Sequence, residues 1–227
     1  MTWHPDIPLE YRNQIVTGDA RELAKRMPDE SIDLILTDPP YPKEYLHCFY
    51  EMGEWAPRVL KPGGSLITLL GHWQIPYIFE ALSGLKYHWF GWMVHGQKST
   101  SMAFRTVRGG KPFVWYSRGQ PKIHHGFFWD TKIVGKRDKR FHEWGQPVEP
   151  AIRDIECLCA PDAIVLDPFV GGGTTAAACK ITGRNYIAFE IDPETADLAR
   201  ERVLNTQPPL FVPEPEQLEL GNTQEPE

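Results

Sequence analysis

The sequence has few cysteines, no long apolar run and no metal-ligand spacing, and each shortage removes a class of protein. Cys48, Cys157, Cys159 and Cys179 are the only four cysteines in 227 residues. They are too few for a disulfide scaffold, and Cys157 and Cys159 lack both CxxC spacing and the nearby second pair of a zinc site. Reduced, mostly buried thiols in a cytoplasmic protein are expected. No apolar stretch approaches the roughly 20 residues needed to cross a bilayer. Residues 1–13 mix Trp, His, Pro and both charge signs, unlike a secretory signal. His124-His125 has no Cys or carboxylate partner at ligand spacing, so no metal is expected.

What is present is ordinary globular composition, 41% hydrophobic and 24% charged, enough for one sizeable core, and a single domain over 1–206 is expected. Residues 207–227 add five Glu and no Lys or Arg among many Pro and Gln. They are expected to form an acidic, disordered tail, because such a composition buries too little apolar surface to offset chain entropy. The net charge is −6, yet between Lys98 and Arg140 eleven Lys or Arg face only Asp130 and Asp138. That lopsidedness suits either a solvated charged loop or a face that attracts phosphate.

Strand and helix patterns alternate along the chain. Residues 14–17, 32–37, 65–70, 87–94, 112–116, 163–166 and 186–189 are predicted strands. Residues 20–26, 45–60, 75–82, 148–159, 174–181 and 193–204 are predicted helices, several marked by Gly or Pro at their ends. The fold class implied is α/β: an open, mostly parallel sheet with helices on both faces. Ligands bind at the carboxyl ends of the strands in such folds.

Two strand ends carry the chemistry. The first is Asp167-Pro168-Phe169-Val170-Gly171-Gly172-Gly173-Thr174-Thr175, where glycines bring bare backbone amides and a helix start close to a ligand. Gly171-x-Gly173-x-x-Ala176 with Glu190 also satisfies a loose dinucleotide pattern. Glu190 suits ribose hydroxyls in either case. Asp167 separates the cases, because a carboxylate at the turn repels pyrophosphate and favours the ammonium and sulfonium charges of S-adenosylmethionine. A nicotinamide cofactor and a purely structural glycine turn remain the alternatives.

The second is Asp38-Pro39-Pro40-Tyr41. An exocyclic base amine is a poor nucleophile because its lone pair is delocalised into the ring. Acceptors such as the Asp38 carboxylate and the Pro39 carbonyl would aim that lone pair at a methyl donor. Paired prolines fix the carbonyl direction, and Tyr41 would stack on a base swung out of its duplex. The alternative is an Asp-capped Pro-Pro turn with a core tyrosine.

With Asp38-Pro39-Pro40-Tyr41 preceding Phe169-x-Gly171-x-Gly173, the sequence resembles the DNA amino-methyltransferases of the β arrangement, over roughly residues 14–206. The resemblance implies a single-domain Rossmann-like methyltransferase fold with circularly permuted motif order, S-adenosylmethionine as cofactor, DNA as partner, and base flipping. It implies that Asp19, in Thr17-Gly18-Asp19-Ala20, lies near the adenine of the cofactor, Asp167 near its methionine part and Glu190 on its ribose. Asp rather than Ser at position 38 is similar to adenine-N6 members more than to cytosine-N4 members. Cytosine-N4 or RNA methylation, or a non-catalytic DNA-binding relative, remain alternatives. The resemblance further implies a restriction-modification or bacteriophage setting, and members often form homodimers. His142 and Pro147 match a cofactor-side motif of the family whose Thr and Lys are replaced here by Trp144 and Gln146.

The candidate site is therefore Asp38, Pro39, Pro40 and Tyr41 for catalysis, and Asp19, Ala20, Asp167, Phe169, Gly171, Gly173, Thr174 and Glu190 for the cofactor. For DNA, the segment 97–140 supplies Lys98, Arg105, Arg108, Lys111, Arg118 and Lys122, with Lys132 and Lys136, among Phe104, Phe127, Phe128 and Trp129. Bases next to aromatics suit phosphate contacts plus stacking. Trp55, Trp89 and Trp92 are expected in the core, and His72-Trp73 at the mouth of a pocket.

Overall fold

The computed structural model describes residues 3–101, 106–134 and 147–207, with backbone alone for 95–101 and 106–108. The predicted acidic tail, from position 208 onward, lies outside the described residues, as do Arg105, Phe104, Lys136 and His142 to Gln146.

Among the described residues, eight strands form one sheet in the order β1-β8-β7-β2-β3-β5-β4-β6. They are β1 Gln14–Thr17, β2 Ile32–Thr37, β3 Leu60–Leu69, β4 Lys86–Ser101, β5 Thr106–Ser117, β6 Thr131–Val134, β7 Ile164–Asp167 and β8 Asn185–Glu190. Strands β1, β8, β7, β2 and β3 are parallel neighbours. Strand β5 runs antiparallel to both β3 and β4, and β6 is parallel to β4. One strand of eight therefore runs against the rest.

Burial on both faces explains the run in β2. Ile35 packs with Phe49, Met52 and Ile78, on the side of helices α1 Ala20–Lys25, α2 His47–Val59 and α3 Ile75–Ala81. Leu34 and Leu36 pack with Ile155, Leu158 and Ala178, on the side of α4 Glu149–Leu158 and α5 Thr174–Thr182. The last helix, α6 Pro193–Asn205, adds Ala196, Ala199 and Val203 against Ile15 and Ala188. A strand covered on both faces reads as a continuous apolar run instead of an alternating one. The exception, Asp33, is tied down. Its Oδ2 accepts the Ile164 backbone N–H at 2.9 Å and pairs with Lys61 Nζ at 2.7 Å, stapling β2 to its neighbours at the amino ends of the strands.

The segment 97–140 differs most from its sequence reading. It extends the β4–β5 pair well past the predicted strand ends and then supplies β6, for which no strand was predicted. Over the four residues Thr131 to Val134 a buried Lys132 and an 83% exposed Ile133 invert the usual alternation, so polarity gives no strand signal. Their placement comes from tertiary burial: Lys132 is 5% exposed and its Nζ pairs with Asp154 of α4 at 2.5 Å. The same ammonium lies 3.8 Å from the centroid of Phe113. Lys132 is thus a core cation whose desolvation is offset by its partner and a ring face, not a phosphate ligand. Phe128 likewise stacks on Trp115, with ring centroids 4.4 Å apart. Trp89 and Trp92, expected in the core, are instead exposed on β4.

Candidate active site

All the relevant loops leave the carboxyl ends of the parallel strands. They enclose a cavity of about 1350 Å3 bordered by the loops after β1, β2, β7 and β8. Asp38 to Tyr41 and Asp167 to Gly172 line the same cavity, so two motifs 129 positions apart in the sequence meet across adjacent strands. Thr37 Oγ1 donates to Asp167 Oδ1 at 2.7 Å, joining the two strand ends.

On the glycine-loop side, the geometry is set by a chain of hydrogen bonds, the innermost of them buried. Asp167 is buried, and its Oδ1 also accepts the Phe169 backbone N–H at 3.1 Å. Burial pushes its carboxyl up to about 6, against hydrogen bonds from Thr175, Thr37 and Phe169 that pull it down. Glu190, at the end of β8, accepts Gly171 N–H at 3.0 Å on one oxygen and Asp192 N–H at 3.1 Å on the other. Gly171 has φ +47 and a Cβ there would meet nothing within 4 Å, because it would project into open space. Gly173 serves a different purpose from the one its motif suggests. It does not border the cavity; with φ +78 it starts α5, and a Cβ would press 3.1 Å from Ala199 O of α6. From that helix, buried Arg202 donates to Gly172 O and Thr174 Oγ1, each at 2.9 Å.

Beyond Glu190, the cavity reaches Asp19, Ala20, Arg21, His47, Cys48 and Glu51. Asp19 caps α1 through Arg21 N–H at 2.9 Å and is gripped by the Arg21 guanidinium, which holds its carboxyl below the usual range. Its side chain therefore shapes the loop as much as it faces a ligand. Glu51 was not foreseen. Its Oε1 lies 3.4 Å from Arg21, while Oε2 is buried and, among the described residues, lacks a hydrogen-bond partner. Burial also raises the Cys48 thiol to about 11, keeping it neutral.

On the Asp38 side, the loop is held by its own carbonyls. Trp73 Nε1 donates to Tyr41 O at 2.9 Å, and Gln74 Nε2 to Pro40 O at 3.4 Å. Tyr41 OH donates to Asp38 Oδ1. Burial, with the Asp38 charge beside it, pushes the Tyr41 phenol well above its ordinary range, so it remains a donor. His72 and Trp73 border the cavity as expected.

Of the six cations assigned to DNA, Arg105 lies outside the described residues and the other five are dispersed. Lys111 Nζ sits inside the cleft, 3.1 Å from Asp38 Oδ2 and 4.8 Å from the Tyr41 ring centroid. Arg118 and Lys122 stand at the amino ends of the strands, away from the cleft, where Lys122 N–H bonds Gly63 O. Arg118 donates to Leu60 O and pairs with Glu30, both 2.7–2.9 Å away. Their place at the far end of β5 follows from its antiparallel direction, which sequence spacing does not reveal. Lys98 and Arg108 have described backbone only, on the paired ends of β4 and β5.

Sheet order, the lone antiparallel strand and a shared cleft at the strand ends define a protein with the S-adenosylmethionine-dependent methyltransferase fold. Residues 115–201 match the DNA methylase family profile. The type II methyltransferase M.BglII of Bacillus subtilis is 26% identical over 88% of this chain and 71% of its own length. M.HpaI of Haemophilus parainfluenzae is 26% identical over 84% and 74%. Among solved structures, a complex of M1.HpyAVI with SAM superposes with TM-score 0.69 at 25% identity, covering 83% of this chain and 98% of that one. The cytosine-N4-specific PvuII DNA methyltransferase gives 0.73 at 20% identity, covering 83% and 85%, a likeness of fold. Together these matches make the chain similar to the N6/N4 DNA amino-methyltransferases.

Proposed function

We propose that the chain transfers a methyl group from S-adenosylmethionine to the exocyclic N6 amine of adenine in DNA, with the base turned out of the duplex into the Asp38–Tyr41 pocket. The observation that carries this reading is the convergence of Asp38 and Asp167 on one cavity from adjacent strand ends.

The residues fit the cofactor. Asp167 is a carboxylate kept from water beside open space, which a cation satisfies. The buried Oε2 of Glu51 has an acceptor position to offer an adenine amine, Glu190 offers one to ribose hydroxyls, and Gly171 leaves the room that a side chain would take. When bound, S-adenosylmethionine supplies a methyl group on sulfonium, the C–S pair staying with sulfur as the amine lone pair forms the N–C bond and one amine proton leaves to water.

This chain's own groups orient the amine. Asp38 accepts one N–H and the Pro39 carbonyl the other, which draws the lone pair out of ring conjugation. Tyr41 anchors Asp38 through its hydroxyl and offers its ring to the base. Asp rather than Ser at position 38 favours adenine over cytosine in this reading.

Incubating the protein with labelled S-adenosylmethionine and unmethylated DNA, then digesting to nucleosides, tests it. N6-methyladenine is expected. N4-methylcytosine would move the target to cytosine, and absence of label from both DNA and RNA would overturn the catalytic reading.

A further inference from the structure

We propose that Lys111 is a placeholder for the target base: its ammonium occupies the Asp38–Tyr41 pocket until the base arrives, then transfers to the phosphate of the incoming nucleotide. The inference rests on the reading of Asp38 and Tyr41 as the base site.

The geometry is that of a substrate mimic. Lys111 Nζ donates to Asp38 Oδ2 at 3.1 Å, the kind of contact assigned to the amine N–H. The same ammonium lies 4.8 Å from the Tyr41 ring centroid, on a face assigned to the base. One side chain thus satisfies both groups that a flipped base would engage. Its position is fixed by the sheet. Lys111 pairs with Met93 across β5 and β4, and both border the cavity. Next to it, Gly110 has no room for a side chain, since a Cβ would lie 2.5 Å from Met93 O. Strand pairing therefore continues unbroken to the cleft and delivers the lysine stem at its wall.

Lys111 cannot stay during methyl transfer. The amine gains positive charge as its lone pair is committed, and a fixed ammonium beside the same carboxylate would oppose that charge. It must also vacate the Tyr41 face for a ring to stack there. The acceptor that arrives with the base is its own phosphate, and lysine readily pairs with phosphate. Exchange of one anion for another leaves the ammonium paired throughout, so base insertion does not strand a charge in a partly buried site. It also frees Asp38 Oδ2 from the ammonium when the amine needs an acceptor.

The test uses the full chain saturated with S-adenosylhomocysteine, so that nucleosides cannot occupy the cofactor side. Adenosine and adenosine 5′-monophosphate are titrated by calorimetry or NMR against wild type, K111M, K111R and D38A, with cytidine and its monophosphate in parallel. Wild type is expected to bind the monophosphate about tenfold more tightly than the nucleoside, the scale of one charge-assisted contact. K111M should lose that preference while binding the nucleoside at least as well as wild type, because its competitor is gone; K111R should restore the preference. An unchanged preference in K111M, weaker nucleoside binding in K111M, or equal wild-type affinity for the two ligands, including none to millimolar concentration, overturns the exchange. D38A separates the two levels. If it weakens nucleoside binding while K111M leaves the phosphate preference intact, only the placeholder falls; if nucleoside binding ignores D38A, the base-site reading falls and takes the placeholder with it.

Discussion

The two halves of the cleft are built differently. The glycine-loop half is held by interlocking bonds, two of them fully buried: Thr37 and Phe169 on Asp167, Gly171 on Glu190, and Arg202 on Gly172 and Thr174. The Asp38 half rests on partly exposed groups, with Asp38 and Lys111 side chains 30% and 21% exposed, and the Lys111 ammonium on its carboxylate is a contact that a substrate could replace. A rigid half suits a small ligand that fits one way, whereas a half that must admit a base needs contacts that open at little cost. Changes in the first half should act on cofactor affinity, and changes in the second on turnover.

The largest effect expected is from D38A, which should lower kcat for methyl transfer by about 10²–10³-fold while leaving S-adenosylmethionine affinity within about twofold. A parallel loss of cofactor affinity in calorimetry would break the division between the halves. Next, E51A should weaken S-adenosylmethionine binding by about tenfold or more, the scale of a hydrogen bond to a charged group, with kcat at saturating cofactor little altered. Arg202→Met should lower both cofactor affinity and melting temperature, because it leaves the Gly172 carbonyl and the Thr174 hydroxyl without their buried donor. A fall in melting temperature alone would mean that the loop keeps its shape without that anchor.

A smaller, pH-dependent effect sharpens the same contrast. Burial raises Asp167 from the ordinary 3.8 to about 6. The folded protein then binds this proton more tightly than the unfolded chain, so this carboxyl's contribution to stability is favourable at low pH. It declines as pH rises from about 4 through 6, and the cost of the buried charge is fully present above that. A bound cation rewards the ionised form. S-adenosylmethionine affinity should therefore rise as pH increases from 5 to 7, and D167N should flatten the dependence. The smallest effect is expected from K122Q, at the far end of the sheet: DNA affinity and its salt slope should stay near wild type, where a cleft-side phosphate contact would lower the slope by about one.

Much of the scaffold was legible in the residues. The apolar run of β2 and the glycine-rich turn after β7 mark strands covered on both faces and a loop that approaches a ligand, and local chemistry suffices to read both. The basic segment was not legible. Its charge pattern is the same whether a lysine is solvated, buried against Phe113 like Lys132, or placed in the cleft like Lys111. Gly173 carried a motif-based expectation that packing against Ala199 replaced. Glu51 and Arg202 lie on helices whose periodicity gives no hint that their polar ends reach the cleft and the back of the glycine loop, respectively.

By itself, the sequence determined the alternation of elements, the order of the two motifs and the chemical character of each strand end, because these depend on side-chain period and backbone freedom within a few residues. Tertiary structure alone decided that Asp38 and Asp167 share a cavity, that Arg118 and Lys122 are carried to its opposite end, and that an ammonium rests on the Asp38 carboxylate. Those facts depend on strand order and direction, which are fixed by how two apolar faces are covered at once and leave no mark at any single position.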